Sequence, residues 1–364
     1  MKTRIKRDLI DLMMVPGLSG HEDRVRRALR DRLDNMGVNS TSDRLGNLVA
    51  HFPGIGPRVM LFTHMDQLGF IVRRIEADGL IRLERLGGVP ERALAAQEVL
   101  VCVGEGRDVP GIIANKSHHA TAPSEKYQVT PYSDIYVDTG LSSASDVEAA
   151  GIRIGTPVVY APRAAVLAND RICGTSVDDR AGCAVLLEMA LLLKDRKSGP
   201  PVDLAFTVLE EFNLRGVQPL AQKLQPDIAI QLDLMLATDT PDMAARGDMM
   251  LGGGPGMSLY SFHGRGTLNG VIPHPAIVNL FEGTAKAHNI PLQRSAQVGV
   301  LTDLSYVQLA GKGVACIDMG YPMRYSHSAR ELCDLSDLVA LTKLLDAALG
   351  AIGADFSLDR DDYT

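Results

Sequence analysis

The sequence predicts an α/β protein, a mixed and mostly parallel sheet sandwiched by helices, with a small β-rich segment inserted into it. Beyond about residue 165, short apolar runs alternate with helical periodicities, as in a parallel sheet covered by helices on both faces. Between 70 and 165 the texture differs, with short β-like runs broken by Gly, Pro and Ser. At 364 residues the chain also exceeds the roughly 250–300 at which single cores stop growing. The expected division is a main domain formed by 1–69 and 166–364, with 70–165 inserted.

Taken in order, residues 5–36 carry two helical patterns. Ile5, Leu9, Leu12 and Met13 mark the first, and Val25, Leu29, Leu33 and Met36 the second, which Gly37 stops. A tight loop at 16–20 separates them. Strands follow at 47–52 and 59–63. Segments 69–75 and 80–86 form a hairpin across Asp78-Gly79, which supplies the positive-φ turn. Further β pieces lie at 98–104, 109–114 and 157–161, and the polar stretch 116–130, with two prolines, is a loop. In the second half, 181–194 is an apolar and therefore buried helix, 202–210 a strand, 217–224 a helix and 227–233 a strand. The helix 275–288, the strand 314–319 and the helix 336–351 complete the chain.

Composition excludes several functions. With 46% hydrophobic and 22% charged residues the chain is an ordinary globular protein. The net charge of -7, from 37 Lys+Arg against 44 Asp+Glu, comes without a basic stripe, so nucleic acid is not an expected partner. No run reaches the ~18 apolar residues of a membrane span. Five scattered cysteines, with no CxxC pair, read as reduced thiols in a cytoplasmic protein.

Ligand sites in open α/β sheets lie at the carboxyl ends of the strands. There the apolar run from Val59 delivers His64 and Asp66, two apart and so on one side of an extended chain. The strand from Val202 runs into Glu210 and Glu211, and the strand from Asp227 closes on Asp233. Asp178 and Asp179 precede the apolar helix, where its dipole favours a carboxylate, and His327 follows the strand near Gly320. Each has a plainer explanation alone: a helix N-cap at Asp178 or Asp179, a strand-stopping charge, a turn residue, a hydrogen-bonded histidine. Together, His64, Asp178, Glu211, Asp233 and His327 make a thiolate-free set of nitrogen and oxygen ligands suited to a pair of divalent ions. A shared carboxylate would hold the two ions ~3.5–4 Å apart. Asp66 is placed to accept the second ring proton of His64, and Glu210 to take a proton from a water.

These segments resemble the dinuclear-zinc aminopeptidases that include glutamyl aminopeptidase and the tetrahedral (TET) aminopeptidases, some of which carry an endoglucanase name. The matching pieces are Thr63 to Phe70, Val177 to Gly182, Glu210 to Gly216, Gln231 to Met235 with Asp239 to Pro241, Thr302-Asp303, and Arg324 to Ser328 with Glu331. They stand in the family's order over most of the chain. The resemblance implies that His64 and Asp233 bind one metal, Glu211 and His327 the other, and that Asp178 bridges them. It makes Asp66 the catalytic aspartate and Glu210 the general base of a metal-dependent aminopeptidase acting on the amino termini of short peptides. It implies two divalent ions per subunit, zinc or alternatively cobalt or manganese. The inserted domain would be PDZ-like and serve dimerisation, the dimer building a homo-oligomeric dodecamer. Three sites depart from the family: Asn213 where glycine is usual, Gln67 where an acid is common, and Gly299-Val-Leu-Thr-Asp303 where Gly-Gly-Thr-Asp is usual. Two other readings are a glycoside hydrolase, which the absence of Trp and 5% aromatics disfavour, and an inactive metal-bound assembly subunit, which the intact Asp66 and Glu210 disfavour. His118-His119 read as a solvated or interface pair, Gly252 to Gly256 as a flexible lead-in to a strand, and His263 and His274 as structural or cleft-lining.

Overall fold

The computed structural model describes residues 1–263 and 269–363. The chain opens with α1 (Lys2–Met13), α2 (Asp23–Asn35), β1 (Ser40–Ser42), β2 (Leu48–Phe52) and β3 (Val59–His64). It continues through β4 (Gly69–Ile75), β5 (Ile81–Leu86), β6 (Glu98–Val101), β7 (Val109–Ile113), β8 (Tyr136–Asp138), α3 (Ala144–Ala149) and β9 (Pro157–Tyr160). Then come β10 (Ala164–Val166), β11 (Arg171–Gly174), α4 (Val177–Lys194), β12 (Val202–Thr207), α5 (Val217–Leu224) and β13 (Ile228–Leu236). The last part holds β14 (Gly256–Phe262), β15 (Gly270–Val271), α6 (Pro275–Ala287), β16 (Gln293–Val298), α7 (Leu304–Val307), β17 (Ala315–Arg324), β18 (Glu331–Asp334) and α8 (Leu335–Gly350).

One mixed sheet organises the molecule, in the order β1-β2-β12-β3-β13-β17-β18-β11-β10. Its parallel part is the central four strands, β12-β3-β13-β17, and antiparallel strands extend it on both flanks. Every residue of β3 and β12 is buried, because helices cover both faces and leave no side for solvent. On one face, α1, α2, α4, α6 and α8 pack over Leu61, Leu204, Ile230 and Ile317. On the other, α5 and α7 cover Met60, Phe62, Ala205 and Ala229.

Strands β4 to β9 close into a separate antiparallel barrel, β4-β5-β8-β7-β6-β9, around its own core of Phe70, Val72, Ile81, Leu83, Val99, Val101 and Val158. Gly79 makes the β4–β5 turn at φ +84°, and a Cβ there would meet the Leu141 carbonyl at 2.4 Å. The barrel's β8 and α3, and β14, β16 and β18 of the sheet, are elements that sequence periodicity does not mark. Two strands outrun their apolar runs. Asp233 does not close β13, which continues to Leu236 because β17 still pairs with it there, and β17 itself reaches Arg324. Conversely β12 stops at Thr207, so Glu210 lies in the turn beyond it. All five cysteines are free, and among the described residues no helix is long and apolar enough to cross a membrane.

Candidate metal centre

The parallel register puts the chemistry on one edge. His64 ends β3 directly beside Thr207, the last residue of β12, and Asp233 sits on β13 two residues past its final pairing with β3. Asp178 leads α4, and His327 follows the end of β17. With Glu210, Glu211, Asn213, Leu214, His263 and the 299–302 segment these side chains line a single cleft. Six of the eleven described non-glycine residues with positive φ flank it: Ser176, Leu209, Asn213, Leu214, Tyr325 and His327. Such backbone costs about 1–3 kcal/mol per residue and persists where the surroundings over-determine it.

Two groups of donors form, His64–Asp178–Asp233 and Asp178–Glu211–His327. Within each, one ligand atom per residue lies within 4.8 Å of the others, and Asp178 belongs to both. His64 Nε2 is 3.0 Å from Asp178 Oδ1, and His327 Nε2 is 3.5 Å from Asp178 Oδ2 and 3.8 Å from Glu211 Oε1. Glu211 Oε1 is buried with no hydrogen-bond partner among the described residues. Burial drives the Glu210 carboxyl well above its ordinary range, and the charges of Asp233, Glu211 and Asp303 reinforce this against His64. Burial likewise lifts Asp233, and lifts Glu211 to about 7. Burial opposes charge on His327, yet Glu211 and Asp178 outweigh it and raise the imidazole to about 9. Crowded buried carboxylates with facing imidazoles are relieved by cations, and an imidazole–carboxylate set without sulfur fits zinc, cobalt or manganese.

Two further carboxylates hold the frame. Asp66, fully buried behind the cleft, accepts the Glu210 N–H at Oδ1 (3.1 Å) and the Glu211 N–H at Oδ2 (3.0 Å). Its main-chain oxygen is the nearer partner of His64 Nδ1, at 3.2 Å against 3.6 Å for Oδ1, because the carboxylate oxygens are engaged by those two amides. Glu331 does the same on the opposite wall, accepting the N–H of Asp178 at 3.0 Å and of His327 at 2.8 Å. The N-cap alternatives at 178 and 179 divide. Asp179 accepts from Gly182 N at 2.9 Å, from the Tyr321 hydroxyl at 2.7 Å and from Thr63, while Asp178 faces the cleft.

Sequence reasoning passed over Glu331 as a support, Glu22, whose Oε1 accepts the Leu209 N–H at 3.1 Å, and Gly88, whose carbonyl lies 3.0 Å from His327 Nδ1. All three act on or through main-chain groups, which leave no residue-type signal. Gln67 turns away from the cleft, accepting from Gly17 N at 3.0 Å, and Asn213 takes φ 67°, a conformation Asn tolerates. His118 and His119 stack edge-on against each other and do not line the cleft, His263 does, and His274 caps α6 through Ala276 N. Gly252 to Pro255 lead into β14, with Gly252 N and Gly254 N bound to Asp337.

The chain is similar to SgcX of Escherichia coli, 35% identical over all of this chain and 98% of that one. The lysyl aminopeptidase of Pyrococcus furiosus is 31% identical over 92% of this chain and 93% of its own length. Among solved structures, the TET aminopeptidase of a marine-sediment Thaumarchaeota archaeon superposes with a TM-score of 0.90 at 28% identity, over the whole of this chain and 99% of that one. The sequence pattern of the M42 glutamyl aminopeptidases matches residues 46–344, a stretch that spans every donor of the cleft and both supporting carboxylates, and the chain belongs to that family.

Proposed function

We propose that the protein is a dinuclear metal-dependent aminopeptidase that removes amino-terminal residues from short peptides. The observation that supports this most directly is that the two donor groups share Asp178. His64, Asp178 and Asp233 would hold one divalent ion, and Asp178, Glu211 and His327 the other. Bound there, the ions would supply Lewis acidity at the scissile carbonyl. Glu210, whose carboxyl burial has already raised, takes the proton of the attacking water and returns it to the leaving amine. Asp66 fixes where that carboxylate stands, through the amides of Glu210 and Glu211. No Phe or Tyr lines the cleft among the described residues, so a stacked sugar finds no platform there.

Assembly follows the same reading. Tyr127, Val129, Ile112 and Ile154, all in or beside the barrel, are large apolar side chains left exposed, as on a surface that pairs with a second copy. A solved relative, TET1 of Pyrococcus horikoshii, can assemble into a tetrahedron or a large octahedral shell. We expect a dimer built through the barrel and a dodecamer built from dimers, which light scattering of the purified protein measures directly.

Aminoacyl p-nitroanilides assayed with and without chelator, then with zinc, cobalt or manganese restored, test the activity. Chelator-sensitive cleavage is the expected result, and cleavage of no substrate under any metal rejects the reading. Glu210→Gln should lower kcat by on the order of 10²–10⁴ with metal content intact. Normal turnover in that variant would remove Glu210 from the role of base.

A further inference from the structure

The two strands that carry His64 and Asp233 separate just before those residues. β3 and β13 pair from Val59 and Ile228 up to Phe62 and Gln231, and no further. Beyond that point His64 stays paired with Thr207 of β12, while β13 continues alongside β17. The cleft opens at this fork, with His64 on one arm and Asp233 on the other.

The start of α7 spans the fork and is bonded to both arms. On one, the Thr207 hydroxyl donates to Asp303 Oδ2 at 3.2 Å. On the other, Gln231 Oε1 accepts the Leu304 N–H at 2.7 Å. That bond decides which way the Gln231 amide faces, because a main-chain N–H can only be met by the side-chain oxygen. The NH₂ group is thereby turned to Asp233, two residues on and on the same side of the strand, and donates to its Oδ2 at 3.2 Å. The Leu234 N–H donates to Asp233 Oδ1 at 2.6 Å. Each carboxylate oxygen thus has one protein donor and keeps a lone pair for an ion.

The surroundings of Gln231 are otherwise apolar. Ala229, two residues earlier on the same side of β13, belongs to the cluster of Met60, Phe62, Leu304 and Val307. Gln231 is fully buried, and a buried amide is costly unless it is hydrogen-bonded. Here one end is spent on a candidate ligand, and the other on the residue two past the 299–302 wall of the cleft.

We propose that Gln231 is a positioning residue of the metal centre, fixing the Asp233 carboxylate for the ion held with His64 and Asp178 and tying the 299–302 wall to that ligand. Among the described residues Gln231 makes no hydrogen bond to Glu211 or His327, so the effect falls on one ion of the pair. The inference rests on the dinuclear reading and adds a residue outside its donor set.

The test titrates the metal-free protein with zinc against a chelating indicator, comparing wild type with Gln231→Met, which keeps the length of the side chain and removes both bonds. Wild type should bind two ions. In the variant one step should weaken by ~10–100-fold, the range found for partners that orient ligands, and the other should stay within a few-fold. Thr207→Val loosens α7 from the opposite arm without touching Asp233, and should leave both steps within a few-fold of wild type. Where Gln231→Met does not fold, Gln231→Asn carries the same expectation, since its amide is too short to reach Asp233 while its oxygen holds Leu304 N. Two unchanged steps in the Gln231 variant overturn the positioning role and leave the aminopeptidase standing. Both steps weakened alike, or the same loss in Thr207→Val, assign Gln231 to packing and overturn it as well. One selectively weakened step, in a protein that cleaves no aminoacyl p-nitroanilide, keeps the positioning role and rejects the aminopeptidase.

Discussion

In β3 and β12 no residue reaches solvent, whereas in β5 and β6 of the barrel Ile81, Leu83, Val99 and Val101 point inward between Arg82, Glu84 and Glu98, which do not. The sheet is covered on both faces, and the carboxylates and imidazoles of the cleft gather toward the carboxyl ends of its central strands. The barrel covers one face with its own core and leaves its charges in water, where they are individually weak. Its contribution to the cleft is a backbone carbonyl, that of Gly88. The two regions thus divide the work: one supplies side-chain chemistry, the other shape.

The division is broken most severely at the residue both donor groups share. Asp178→Asn should take activity to background and reduce bound metal below two ions per subunit, measured by elemental analysis, while leaving the barrel folded. Full occupancy in that variant would show that the groups do not depend on a common carboxylate. Next in size are the supports. Asn in place of Asp66, or Gln in place of Glu331, turns an amide NH₂ toward a main-chain N–H that needs an acceptor. Each should cost ~10–100-fold in metal affinity or activity, the range found for partners that orient ligands. Metal titration separates the two, since Glu331 steadies Asp178 and His327, and Asp66 the segment bearing Glu210.

Much of the sheet region was legible because its physics is written in residue types. Continuous apolar runs mark β3, β12 and β13, and carboxylates or imidazoles after such runs stand out, so His64, Glu210, Glu211, Asp233 and His327 were all found as candidates. Strand ends were not legible, because Leu234 to Leu236 are as apolar as what precedes them and only pairing with β17 decides how far β13 runs. β14 and β16 escaped because Ser258, Ser261, Ser295 and Gln297 interrupt their apolar pattern in order to line a cavity. Gly88 escaped because its role needs no side chain.

Gly88 also gives the sharpest probe of the barrel's part. A Cβ there would lie 2.8 Å from His327 Nδ1 and 3.1 Å from Cε1, so Gly88→Ala must displace the imidazole. Because misplacement of about 1 Å costs up to ~10²-fold, we expect a tenfold or larger loss in kcat/KM with the thermal stability of the protein little changed. An unaltered rate would mean the barrel does not shape the cleft.

The smallest effect concerns how the two regions are held together. Arg24 of α2 pairs with Asp108, just ahead of β7, through Nη1–Oδ2 at 2.5 Å and Nη2–Oδ1 at 2.9 Å, and both side chains are largely covered. Burial pushes the Asp108 carboxyl up, but the Arg24 bonds and the Gly104 amide outweigh it and hold it below its ordinary value. A depressed folded pKa binds fewer protons than the unfolded chain, so the stabilisation is present above about pH 4 and is lost as pH falls through the folded value. Asp108→Asn should therefore cost about 1 kcal/mol at pH 7, and the difference from wild type should shrink as pH falls from 5 toward 3. Urea unfolding followed at both pH values measures this, and amide exchange in β6 and β7 locates it. A cost independent of pH would assign the contact to packing, and faster exchange confined to the barrel would show that the ion pair tethers the barrel to α2.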